Sequence, residues 1–216
     1  MTGREAFLPE GRVVLKESID PRWKQFQHQP WDCASCGETH VGLFDLGCAK
    51  PDFWQSSEQP LANSAIVGST HCLTEDFCIL DNEHYFVRCL LRLPLVGSPG
   101  ESFGLGVWST LARKNFDKYA STFDSGEQEG LGPWFGWLSN RLKGYPDTLS
   151  LKCQVHPQPG RQRPLLELEP TEHPLARESL QGITYERLLE IYAANGHAAG
   201  PPLGPAGHDD EVSGCT

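Results

Sequence analysis

An α+β fold is predicted, with a mixed or mainly antiparallel sheet of about five to six strands and a few packed helices. Three observations carry it. Short apolar stretches with strand periodicity recur through the middle of the chain, as in Asp76–Asp81, His84–Leu95 and Thr148–His156. Segments with helical spacing sit between and after them, as in Tyr185, Leu188, Leu189 and Tyr192. The chain also holds 22 glycines and 17 prolines, about 18% of its length against a usual share of roughly 12%. That excess argues for many turns and short elements over a helical bundle.

Residues 1–30 read as an irregular lead-in, followed by a cysteine-bearing turn, WDCASCGETH, at 31–40. Pro51 before Asp52, Phe53 and Trp54 predicts a short helix with proline in its first turn. Asp76–Asp81 is a strand, Asp81-Asn82-Glu83 a turn, and His84–Leu95 the second arm of a hairpin. Leu90-Leu91 breaks strict alternation there, which fits a strand covered on both faces or a bulge. Ser102–Trp108 is a third strand, and Ser109 or Thr110 then caps a helix over Leu111–Thr122. Gly132–Leu138 is an aromatic strand against that helix. Leu149, Leu151, Cys153 and Val155 alternate on one face of the next strand. Pro164–Glu169 pairs antiparallel with it across a turn. Pro174 opens a helix with Thr171 or His173 near its cap, Thr184 caps the last helix, and Gly196 stops it. The stretch 196–216, rich in Gly and Pro and acidic, reads as a disordered tail.

The 38% hydrophobic content supports a packed core, and the formal net charge of -10 repels phosphate backbones and anionic membranes alike. No nucleic-acid partner and no membrane partner are therefore expected. The N-terminus lacks the apolar run of a signal peptide, and no stretch nears the roughly 20 apolar residues of a spanning helix. A cytoplasmic location is the expectation.

In that compartment the eight cysteines, at 33, 36, 48, 72, 78, 89, 153 and 215, are free thiols or metal ligands before they are disulfides. Cys33-x-x-Cys36-Gly37, with His40 close behind, has the spacing of half a metal site. A tight turn brings two thiolates to one point, and the following glycine supplies the positive φ that closes it. Zinc needs two more ligands, and no second CxxC or HxxxH is present. His40 is the local candidate, with Cys78, Cys48 or Cys72 to complete the set. A thioredoxin-type pair is disfavoured, because Gly37 and Thr39 are poor helix formers. Cys72, Cys89 and Cys153 read as small buried hydrophobes. Glu167, Glu169 and Glu172 read as a wet strand face before a catalytic carboxylate pair, and Trp134–Leu138 as core before a stacking platform. GxSxG, HExxH and Walker A motifs are absent, and Gly104-Leu105-Gly106 lacks the third glycine of a dinucleotide loop.

Taken in order, the motifs resemble a bacterial family, domain of unknown function 2199. The pieces are Cys33-Ala-Ser-Cys36-Gly-Glu-Thr-His40, Pro51-Asp-Phe-Trp54, Asp76-Phe-Cys78, Tyr85-Phe-Val-Arg88, Phe103-Gly-Leu-Gly-Val-Trp108, Trp134-Phe-Gly-Trp137, Tyr145–Lys152 and Leu168–Ala176. The resemblance implies one domain, over 31–195, and brings no established activity. It marks Cys33, Cys36, His40 and Cys78 as motif positions, together with Arg88, Trp108, Trp137 and His173.

The expected function is that of a small metal-stabilised binding or interaction protein. Zinc held by Cys33, Cys36, His40 and Cys78 would tie the cysteine turn to the first hairpin. One alternative is a metal- or thiol-dependent enzyme with an open coordination position. Another is an immunity- or antitoxin-type partner protein. No residue is assigned a catalytic role.

Overall fold

The computed structural model describes residues 19–57 and 64–197. The first eighteen residues and most of the expected tail lie outside them. The first helix, α1 (Pro21–His28), falls where an irregular lead-in was expected. It is polar overall but turns Trp23 and Phe26 into the main core, at 2% and 3% exposure. The Trp23 indole donates to Val96 O at 2.7 Å. Two large rings suffice to fix an eight-residue helix whose periodicity is too short to read.

Strands β1 (Pro30–Asp32) and β2 (Thr39–Val41) form a separate antiparallel pair with Trp31 opposite His40. Among the described residues the main sheet has nine strands, more than expected. The additions are two-residue pieces: β3 (Leu46–Gly47), β4 (Ile66–Val67) and β5 (Cys72–Leu73). They are too short to show any period. The longer strands are β6 (Phe77–Leu80), β7 (His84–Pro94), β8 (Ser102–Leu111), β9 (Trp134–Trp137), β10 (Lys152–His156) and β11 (Leu165–Leu168). β6 and β7 form the expected hairpin. Asp81 and Asn82 both sit at φ 54°, and Glu83 N donates to Leu80 O at 3.0 Å, a type I′ turn. Pairing of β7 with β8 runs unbroken from Tyr85↔Leu111 to Pro94↔Ser102. There is no bulge at Leu90-Leu91: Leu91 faces the core, while Leu90, between Arg88 and Arg92, is half-buried on the opposite face.

β7 shares its other edge between β6 and, in parallel, β11 at Leu90↔Leu165. β11 pairs antiparallel with β10 and β10 with β9. β9 returns to β8 through a Ser109↔Leu138 bridge and the Ser139 N to Trp108 O bond at 2.8 Å. The five strands β7, β8, β9, β10 and β11 thus close a ring around inward-facing Cys89, Val107, Cys153, Val155 and Leu166. Closure requires a close approach at Gly136, where a Cβ would lie 2.3 Å from Ser109 Oγ.

α2 (Arg113–Phe123) starts later than predicted. Ser109 and Thr110 stay in β8, and Ala112 stands at the N-cap without a side-chain bond. The Pro51–Trp54 segment is a turn and not a helix. Asp52 is tied to the segment after β9 instead: its N–H donates to Ser139 O at 2.9 Å, and its carboxylate accepts from Asn140 Nδ2 and Arg141 N at 3.1 and 2.9 Å. β10 begins at Lys152 because Ser150 adopts φ 63° and the Thr148 hydroxyl is bonded to Asn140 O. α3 (Pro174–Gln181) is capped by His173, whose Nδ1 accepts from Leu175 N at 3.1 Å. α4 (Tyr185–Ala194) is capped by the Thr184 hydroxyl. No helix among the described residues is long and apolar enough to cross a membrane.

Candidate metal centre

The turn between β1 and β2 is built as its sequence requires. Cys33 N donates to Glu38 O and Gly37 N to Cys33 O, both at 2.9 Å. Gly37 takes φ 76°, and a Cβ there would meet nothing, so backbone conformation alone demands the glycine. The N–H of Cys36 points at the Cys33 sulfur, 3.4 Å away. Cys33 is buried, while Cys36 is exposed. Its sulfur lies 3.2 Å from His40 Nε2, presented by β2. Thr39 pins the hairpin by donating to Asp32 Oδ1 at 2.6 Å.

A fourth group arrives from the far end of the chain. At the end of α4, Gly196 adopts φ 85°, its N–H bonds Ala193 O, and His197 N bonds Tyr192 O at 2.9 Å. This is a Schellman turn, which folds the residue after the glycine back over the last helical turn. It delivers the His197 ring edge-on to His40, with centroids 5.3 Å apart. Phe44 sits between them and Tyr192, stacked on His40 at 4.7 Å and on Tyr192 at 4.6 Å. The Tyr192 hydroxyl receives Phe44 N and donates to Phe44 O, so α4 and the cysteine hairpin are held in register.

Ligand atoms of Cys33, Cys36, His40 and His197 all lie within 4.8 Å of one another. In a tetrahedron with roughly 2.3 Å metal–sulfur bonds, ligand atoms sit roughly 3.8 Å apart. The widest separation in the cluster exceeds that by about one ångström, while Cys36 Sγ and His40 Nε2, at 3.2 Å, are already inside it. Two thiols and two imidazoles form a set that can hold a metal ion. His197 Nδ1 is buried without a hydrogen-bond partner among the described residues. Glu38 N–H draws the Cys36 thiol down, but desolvation, the Cys33 hydrogen bond and the nearby negative charges outweigh it and leave the thiol raised. A cation reverses that balance, because thiolates then face positive charge.

The fourth expected ligand, Cys78, does not join this group. It is on β6 with its side chain turned into a second core cluster of Trp54, Leu73, Phe86 and Trp108. Burial pushes its thiol up to about 12. Strand alternation accounts for this: β6 belongs to the main sheet, and the cysteine turn to the separate β1–β2 pair. Cys48 and Cys72 lie outside the group as well. His197 escaped sequence reasoning because it follows the expected domain end; the Gly-then-His ending of an apolar helix was the available signal.

The remaining motif positions have other tasks. Trp108 is fully buried and donates to Cys48 O, and His173 is a helix cap. Trp137 and Phe135 are 39% and 45% exposed on β9, so that aromatic run is only partly core. Glu172 pairs with Arg177 at the surface.

Residues 32–183 match a family described as uncharacterised proteins conserved in bacteria, DUF2199. The chain belongs to the DUF2199 family. The DUF2199 match takes in Cys33, Cys36 and His40 but stops before His197. No curated protein and no solved structure matches the chain.

Proposed function

We propose that this DUF2199 protein is a small zinc-stabilised binding or interaction protein of the reducing cytoplasm, with Zn²⁺ held by Cys33, Cys36, His40 and His197. The clustering of four ligand atoms within 4.8 Å carries the reading. The hairpin supplies a physical need for the metal. β1 and β2 have three residues each and stand outside the main sheet, and an isolated two-stranded pair is marginal in water. A Cys₂His₂ set fills all four positions, which favours a structural ion over a catalytic one that keeps a place for water. When bound, the ion supplies folding free energy and no chemistry.

Metal analysis of the full chain, purified without chelator, is expected to give about one zinc per chain. Cys36→Ser and His197→Ala should each lower occupancy. Less than about a tenth of an equivalent, with Cys36 and the buried Cys33 both reacting freely with thiol reagents, would sink the proposal. Stripping the metal should also speed amide exchange in Pro30–Val41 while leaving β7 and β8 protected.

A further inference from the structure

Apart from the cysteine turn, the molecule carries a cavity of ≈ 560 Å³ between β7, the β3–β8 edge and the turn joining β10 to β11. Arg88, Arg92 and Arg163 all line it, with Gln158 and Gln162 on the turn side. Among the described residues Asp45 is the one carboxylate in the lining, and it accepts from Gly104 N at 2.8 Å. Three guanidiniums converge here in a chain of net charge -10.

The strands build this site deliberately. Arg88, Leu90 and Arg92 alternate on the face of β7 opposite the core residues Cys89 and Leu91. Across from them β8 presents Gly106 and Gly104, and β3 presents Gly47 opposite Gly106. The glycines leave a floor without side chains. A Cβ on Gly47 would fall 2.9 Å from Arg88 Nη2, and one on Gly104 would fall 2.4 Å from Asp45 Oδ2. Gly104 thus makes room for the Asp45 carboxylate and Gly47 for the Arg88 guanidinium, and no dinucleotide loop is built here.

Arg88 Nε is buried with no hydrogen-bond partner, and Arg88 enters no ion pair among the described residues. Burial, and then the charge of Arg163, hold it below its ordinary pKa. The guanidinium is half-buried, and the Asp76 and Glu75 carboxylates act on it without a hydrogen bond to its buried Nε, so an anion that bonds it there would recover the cost of an unmatched donor. Arg163 is already oriented, with Nε 2.7 Å from Asp76 Oδ1. Asp76 in turn accepts Arg88 N on its backbone carbonyl at 2.9 Å.

We propose that this cavity binds a small molecule through an oxyanion, a phosphate or a carboxylate, gripped by Arg88 and Arg92 with Arg163 at the rim. Guanidinium forks match both groups in two-point geometry, and the volume lies within the roughly 300–1,000 Å³ of small-molecule sites. The proposal is independent of the zinc reading, since none of these residues is a metal ligand.

Calorimetric titration of the full-length protein as purified, with inorganic phosphate and separately with succinate, tests it. Saturable binding of phosphate assigns a phosphate-bearing ligand; saturable binding of succinate assigns a carboxylate. Arg88→Gln and the exposed Arg92→Gln should each weaken that binding about tenfold or more, with circular dichroism and zinc content unchanged. Should Arg88→Gln fail to fold, Arg92→Gln and Arg163→Gln carry the test. The proposal is overturned if neither probe saturates, or if binding survives in the folded arginine variants.

Discussion

His197 and His173 show how one residue's place relative to a helix end decides its work. His173 precedes α3 and spends its Nδ1 on Leu175 N–H, so His173→Ala should cost about 1 kcal/mol, read as a lower urea midpoint. His197 follows α4, where Gly196 sets its direction. A Cβ at Gly196 meets nothing within 4 Å, so Gly196→Ala should cost about 1 kcal/mol from the left-handed backbone alone. Zinc occupancy should fall with it; full occupancy in this variant would mean that the Schellman turn does not position His197. At this scale the sequence was legible where the clustered side chains are neighbours in the chain. Cys33, Cys36 and His40 share one turn, and local spacing exposes them. His197 reaches them through the packing of Tyr192 and Phe44, and that Cys78 lies apart from this cluster cannot be read from a lone thiol.

Elements were legible in proportion to their length. The I′ turn at Asp81-Asn82, the long β7 and the capped α4 announce themselves by turn chemistry and period. The two-residue strands β3, β4 and β5 carry no period, and the parallel pairing of β11 with β7 is a tertiary choice. α1 was missed for a related reason, since its helix rests on Trp23 and Phe26 rather than on propensity. Trp23→Ala should accordingly destabilise the protein by about 3–5 kcal/mol. A calorimetric melting point unmoved by that change would show that α1 is an appendage.

Across the whole molecule, buried acids make stability fall at alkaline pH. Burial pushes the Cys78 thiol up to about 12 and the Cys153 thiol up to about 11, and it raises the Tyr119 and Tyr192 phenols in the same direction. A folded-state value above the unfolded one, near 8.5 for a thiol, leaves stability intact at neutral pH. It is lost as pH climbs from about 9 toward 12. The urea midpoint should therefore fall between about pH 7 and pH 10.5; an unchanged midpoint would show these groups to be less enclosed than they are here. The Schellman turn that carries His197 has a further consequence, for the order of events in synthesis. Three of the four proposed zinc ligands leave the ribosome early, within one short hairpin, and the fourth emerges only after every strand of the ring. On that proposal a nascent chain would hold the ion loosely from the start and close its coordination only when α4 has docked. Full zinc affinity would then mark a chain that has finished folding.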